Sequence, residues 1–516
     1  MKNKKNNIQR FKPIDHLADE FVKESGLNVF HSANDPRSKD LKFFDTFDWR
    51  LYKNGLTLIK DNSAVYLYNL KKGRINISLS WNTNKIPAFN TDFPDSELKN
   101  ILSKFIGIRA LIPLITISEN IDTYQIKNDG DKTVARLSFL TLESNKPPAF
   151  LIKQIYLESI RGYRKEFSFF YKLLLKKGLI QSNSVPYFDA MSISGIQPGS
   201  YNSKFKLKID PGITSGEAIK QILIHLINTM KINENGIKND IDTEFLHDFR
   251  VAVRRARSVI SQIKYIFSPE ITLKLKKDFS SIGKLTNRLR DLDVYLLRKD
   301  EYTGMLPEKL RNGIKPVFNK LAGERRKEQR KVKTALSVKN YRNKIKDAEN
   351  CIQYIYIDEE LPKNSNVPIL PLAKKYIWKK YNKVVSEGLI IEDSSPNAML
   401  HELRIECKKL RYLLEFFSSL FPSEKMDIII SQLKKLQDNL GDFNDFHVQQ
   451  TELKEMLEQY SSKDSDFLNI SMSIGGLIAI LSNKQYEVRN EFENIFSEFA
   501  KQKNREFYSK LFVENK

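Results

Sequence analysis

The spacing of apolar residues changes character partway along the chain. Between about residues 40 and 160, short runs rich in β-branched and aromatic residues occur at Val65–Leu70, Ile75–Trp81 and Ala135–Leu142. Turn-forming stretches at Lys71–Gly73, Asn82–Asn90 and Asn128–Lys132 bound them, which predicts strands joined by loops. Leu98–Phe105 and Tyr156–Lys177 carry helical spacing instead, so this part reads as an α+β domain. Glycine, proline and serine gather in Asp189–Gly216, the predicted boundary. Beyond it, apolar residues recur every three to four positions. The predicted amphipathic helices are Glu217–Lys231, Thr243–Phe267, Leu273–Leu297, Leu306–Leu336, Leu372–Glu387, Ala398–Leu420, Met426–Leu440 and two more before the end. Pro362–Pro371 interrupts the series. The expected fold class is multidomain: an α+β domain over residues 1–205, then an all-α domain over 213–516, with one helical bundle at about 213–345 and a second at about 366–516.

Two of these helices share a polar pattern as well as an apolar one. HDFRVAVRRARS runs from His247 to Ser258, and HELRIECKKLRY from His401 to Tyr412, a separation of 154 residues (401 − 247). Without a gap, His247 matches His401, Arg250 matches Arg404, Arg254 matches Lys408, Arg255 matches Lys409, and Arg257 matches Arg411. At 3.6 residues per turn, the positions of His247, Arg250, Arg254 and Arg257 span an arc of about 80°. Phe249, Val253, Ala256, Val259 and Ile260 fall on the opposite side, as do Leu403, Cys407, Leu410, Leu413 and Leu414 in the second copy. Surface helices usually mix charge signs. Here only Asp248 interrupts the first copy, and only Glu402 and Glu406 the second. A stripe of like charge is repulsive unless an anion neutralises it, so the pattern points to a polyanion site.

The duplication continues downstream, in GKLTNRLRDLDV (Gly283–Val294) and KKLQDNLGDFND (Lys434–Asp445). Leu285 aligns with Leu436, Leu289 with Leu440, Lys284 with Lys435, and Asp291 with Asp442, while Asp293 falls opposite Asn444. Lys284 and Arg288 share a helix face, so a second helix would aim cations at the same space. The second copy has Asn439 where the first has Arg288. The aspartates are expected to hold arginines through charge-assisted hydrogen bonds rather than to bind a metal.

Composition narrows the partner. A net charge of +22 and a pI near 9.5 favour an anionic one: nucleic acid, anionic membrane or phosphate polymer. The basic stripes hold few aromatics for base stacking, which ranks nucleic acid below a phosphate polymer. Two cysteines, Cys351 and Cys407, make neither a disulfide framework nor a zinc constellation, and a reducing cytoplasmic setting is expected. The basic segment MKNKKNNIQRFK lacks a following apolar region, so no signal peptide is expected. The longest apolar runs, Ala110–Ile117 and the glycine-interrupted Ile474–Leu481, fall short of the roughly 18 residues of a membrane span. A soluble protein with no membrane partner is expected.

The paired His-x-x-Arg heads, the basic tails and the Arg-Asp-Leu-Asp-Val segment (Arg290–Val294) resemble the CHAD family from about Ile213 onward. That resemblance implies two four-helix bundles related by a pseudo-twofold, and a basic surface between them that binds inorganic polyphosphate without catalysis. The implied ligand-binding residues are His247, Arg250, Arg254, Arg255, Arg257, His401, Arg404, Lys408, Lys409 and Arg411, with Lys284, Arg288, Lys435 and Lys379 in second rank. Polyphosphate granules or their associated proteins are the implied setting, with no cofactor. FFDTFDWRLYKNGLTL (Phe43–Leu58) resembles a strand–helix–strand segment of the CYTH, or triphosphate tunnel, superfamily. Catalysis there needs Glu-x-Glu-x-Lys on the first strand, so that alternate carboxylates face inward and hold a divalent metal. Glu20 and Glu24 are four apart, and the expected first strand near Leu27–His31 has no carboxylate. The expectation is a CYTH-like shell without a metal site; a divergent triphosphatase or polyphosphatase is the alternative.

Overall fold

The computed structural model describes residues 8–12, 29–31, 39–81, 87–144, 150–182, 185–353, 362–461 and 466–513. The chain divides into two units, Met1–Ser203 and Lys204–Lys516. Glu20 and Glu24 lie outside the described residues.

Among the described residues of the first unit, ten strands form one antiparallel sheet. They are β1 (Ile8–Lys12), β2 (Val29–His31), β3 (Lys39–Thr46), β4 (Leu56–Lys60), β5 (Ala64–Asn69), β6 (Arg74–Ser80), β7 (Leu111–Lys127), β8 (Thr133–Ser144), β9 (Phe150–Ser159) and β10 (Ile180–Gln181). Their order is β10-β1-β9-β8-β7-β3-β4-β5-β6, with β2 pairing the far end of β7. Arg10 of β1 donates from Nη2 to the Gly73 carbonyl at 2.9 Å, joining one margin of the sheet to the β5–β6 turn at the other. The sheet is therefore strongly curled. The predicted strand–helix–strand segment is present as β3, α1 (Arg50–Lys53) and β4. Asp45 organises it by accepting from the backbone N–H of Thr46, Leu51 and Tyr52.

The face shared with Arg10 and Tyr156 carries Lys39, Glu119 and Gln154 beside apolar side chains. Leu41, Phe43, Ile59, Ile117, Leu140, Leu142 and Ile152 pack with Tyr187, Ala190 and Met191 of α4 (Pro186–Ile193). The opposite face is covered by α2 (Glu97–Ile106) and by α3 (Arg164–Lys176). The helix expected over Tyr156–Lys177 is shorter than its pattern suggests. Tyr156–Ser159 instead completes β9, and Gly162, at φ 97°, turns the chain before α3 begins.

The second unit is helical. Its helices are α5 (Ser215–Lys238), α6 (Thr243–Gln262), α7 (Pro269–Leu285), α8 (Asn287–Leu297), α9 (Lys299–Met305), α10 (Lys315–Ser337), α11 (Lys339–Gln353), α12 (Ile369–Gly388), α13 (Asn397–Phe416), α14 (Ser423–Leu457), α15 (Phe467–Ala500) and α16 (Gln502–Phe512). The 154-residue interval of the motifs also separates the starts of α5 and α12 (369 − 215) and of α6 and α13 (397 − 243). The segments leading into α5 and α12 pair with each other. Ser215 N donates to Val367 O at 2.8 Å, and Ile369 N to Ile213 O at 3.1 Å, around the Thr214–Pro368 bridge. This reciprocal pairing marks a pseudo-twofold. The two halves also share a core, in which Leu292, Tyr295, Phe318 and Leu321 pack with Leu453, Ile474, Leu477 and Leu481.

Two departures from the sequence pattern bear on the site. The predicted helix Leu273–Leu297 breaks at Thr286, whose hydroxyl donates to Gly283 O at 3.1 Å. Its counterpart α14 runs unbroken for 35 residues, through Gly441, well past the predicted end at Leu440. A third departure concerns α15. By length and a mean hydropathy of 1.2 over 18 residues it could cross a bilayer, contrary to the reading of uninterrupted apolar runs. It packs here as a bundle helix, burying Ile470, Ile474, Leu477 and Leu481.

Candidate anion-binding site

Both motif helices are placed by their apolar stripes. Asp242 caps α6 by accepting from the backbone N–H of Glu244 at 2.9 Å and Phe245 at 3.2 Å. Phe249, Val253, Ala256, Val259 and Ile260 are buried in bundle one. Leu403, Cys407, Leu410, Leu413 and Leu414 are fully buried in bundle two. Burying these stripes turns the basic positions away from each core. Where α6 and α13 meet, Gln262 Nε2 donates to Lys409 O at 3.1 Å, and Arg255 Nη2 reaches Glu415 Oε2 at 2.6 Å.

The cations divide into three groups. Arg254, Arg257, Lys284, Lys379 and Lys435 are exposed and make no ion pair among the described residues. Arg255 and Arg411 both close on Glu415, the latter through Nε at 2.8 Å; Lys409 pairs with Glu406 at 2.5 Å, and Arg288 with Glu324 at 2.6 Å. Between these groups lie Arg250, Arg404 and Lys408, all half-buried. Arg250 Nη1 donates to Gly283 O, Thr286 Oγ1 and Asn287 Oδ1 at 3.3, 3.0 and 2.7 Å, holding the α7–α8 break. Its repeat partner Arg404 meets Asp445 at 3.2 Å. The two copies thus share the register of their first two helices and differ in side-chain partners.

The electrostatics across the two helices are repulsive. Arg254 lies within electrostatic reach of Arg250 on its own helix and of Arg404 and Lys408 on α13. Burial, then Arg404 and Arg254, push the Lys408 amine down to about 8. Burial likewise lowers Arg404, with the Asp445 carboxylate opposing it. Arg290 of α8 joins this group, lowered chiefly by burial. Buried N–H groups of Arg404 (Nε) and Arg290 (Nη1) have no acceptor among the described residues.

His401 is exposed, and its Nδ1 lies 2.6 Å from Asn444 Oδ1. With Nδ1–H donated there, Nε2 can donate to an anion only when the ring is protonated. His247 is half-buried in the matching place on α6. Arg290 was absent from the candidate residues, although it opens the Arg-Asp-Leu-Asp-Val segment. Only the meeting of α8 with α6 brings it beside Arg254. Asp293 has the bracing role expected of it, accepting from Arg325 Nε at 2.8 Å while Arg325 also grips Asp240 through both Nη atoms. Asp291 faces Arg250, Arg288 and Arg290, yet burial raises its carboxyl above the ordinary range.

This arrangement of duplicated basic helices is matched by a family model, that of the CHAD domain, over residues 221–454. The second unit carries a CHAD domain. Solved structures resemble part of the chain. One, described as the crystal structure of the CHAD domain from the plant Ricinus communis, covers 57% of this chain and 95% of its own, at 20% identity and a TM-score of 0.47. Another, described as PptA from Streptomyces chartreusis, covers 55% and 99%, at 13% identity and a TM-score of 0.40. No curated protein matches the chain. The family model leaves the curled sheet outside its range, and the CYTH resemblance of that unit rests on sequence alone.

Proposed function

We propose that the CHAD domain binds inorganic polyphosphate along the junction of α6 and α13. One observation carries this reading: Arg254, Arg404 and Lys408, drawn from both bundles, crowd together with Asp445 as the only acid that pairs with any of them among the described residues. A chain of phosphates, with about one negative charge per unit and no bases to read, would relieve that repulsion. Arg254, Arg257 and Lys408 would grip the polymer directly, helped by Arg290, Arg404 and protonated His401. Arg255 and Arg411 would act through Glu415 by setting the spacing between the two basic helices. Arg250 would hold the α7–α8 corner.

The test is binding of long-chain polyphosphate to the full-length protein, titrated against salt. Replacing Arg254 and Lys408 with glutamate should abolish binding while helical circular dichroism is retained. Unchanged affinity in that folded variant would refute the assignment. Displacement of polyphosphate by double-stranded DNA at equal phosphate concentration would move the protein to nucleic-acid binding.

A further inference from the structure

The N-terminal unit carries another concentration of positive charge, on the outer face of α3. This helix turns Phe170 and Leu174 into the core against β8 and β9, which leaves the opposite side to solvent. Arg164, Lys165, Lys172 and Lys176 are all exposed there, and they fall with Phe169 and Leu175 in one arc of about 140°. Glu166, the only acid of the helix, lies outside that arc. None of the four cations forms an ion pair among the described residues.

Apolar side chains stand in water among these charges. Phe169 is 61% exposed and Leu175 40%, while Ile180 of β10, four residues past the end of α3, is 65% exposed. Neighbouring cations without counter-ions and a protruding phenyl ring are both unfavourable in water. One environment relieves both together: an anionic lipid surface, where ammonium groups meet headgroups while apolar tips enter the acyl boundary. A nucleic acid suits the patch less well. Leu175 and Ile180 offer no π-face to a base, and lysine lacks the planar fork that grips a phosphate bidentately.

We infer that α3 docks this protein peripherally on anionic membranes. The proposal is independent of polyphosphate binding, needs no spanning helix and rests on different residues. It is tested by co-sedimentation of the full-length chain with phosphatidylcholine vesicles, with and without phosphatidylserine. The expected result is pelleting with the anionic vesicles alone, weakening as salt rises. Replacing Lys165, Lys172 and Lys176 with glutamate should lower the partition at least about tenfold. Phe169→Ala should lower it several-fold with the charge unchanged. Arg254→Glu with Lys408→Glu should leave it intact. The proposal is overturned by absence of pelleting, by indifference to either α3 change, or by loss of pelleting in the Arg254 and Lys408 variant. Single-stranded RNA bound through the same α3 residues, with vesicles ignored, would also overturn it.

Discussion

Lys408 concentrates the electrostatic strain of the site in one titrating group. Its amine is held near 8 in the folded chain and returns to the ordinary lysine value of 10.5 on unfolding. Between those values the unfolded chain binds more protons, so stability rises with pH; below about 8 the full penalty of the buried charge persists. The stability difference between wild type and Lys408→Met should therefore shrink from pH 8 to 10 in denaturant unfolding. Bound polyphosphate would favour the charged amine, so binding near pH 8.5 should take up protons, measurable by calorimetry in buffers of different ionisation enthalpy. Glu415 carries the opposite role. It receives Arg255 from one bundle and Arg411 from the other, and its side chain is only 16% exposed. Glu415→Gln should cost about 2 kcal/mol of stability through weakened charge-assisted hydrogen bonds, checked by the same unfolding measurement.

At the level of single elements, the apolar stripes of α6 and α13 were legible because a 3.6-residue period leaves one buried face whatever the partner. The break between α7 and α8 was not. Apolar spacing continues across Thr286, and the break is held in part by Arg250, which arrives from α6 and donates to Gly283 O, Thr286 Oγ1 and Asn287 Oδ1. Arg250→Ala should accordingly destabilise the domain by about 1–2 kcal/mol, since it removes three hydrogen bonds that tie α6 to the α7–α8 corner. Arg254→Ala, at an exposed position, should change stability by no more than about 0.5 kcal/mol. The α5–α6 pair depends on close backbone approach at Gly236, where an added methyl would overlap the ring of buried Phe245. Gly236→Ala should cost about 1–3 kcal/mol through overpacking, read as a lowered denaturation midpoint. The long α14 escaped prediction because Gly441 reads as a helix stop, yet α14 carries on, pairing with α15 through Asn439 to Val488 O at 2.8 Å and Gln450 to Gln485 Oε1 at 2.9 Å.

For the whole molecule, a net charge of +22 guarantees attraction to many polyanions, so specificity must come from where cations are left without acids. Each phosphate contact releases condensed counterions on binding. Neutralising Arg254 and Lys408 together with glutamine should flatten the log–log salt dependence of polyphosphate affinity by about two, one for each lost contact. Sequence alone determined the duplicated basic helices, their buried faces and the strand-rich first half. Those properties follow from local periodicity, which tertiary contacts respect. It could not say which cations are neutralised from another helix. Arg255, Lys409 and Arg411 match Arg254 and Lys408 in type and near-register, yet Glu415 and Glu406 engage the first three. Lys409 and Arg411 meet acids three and four residues away on their own helix, whereas Arg255 meets Glu415 only because α6 and α13 approach one another. Arg290 shows the same dependence in reverse, since only the packing of α8 carries it to the site. Pairing of charges between helices is a through-space property, and periodicity along one helix records only the pairs three or four residues apart.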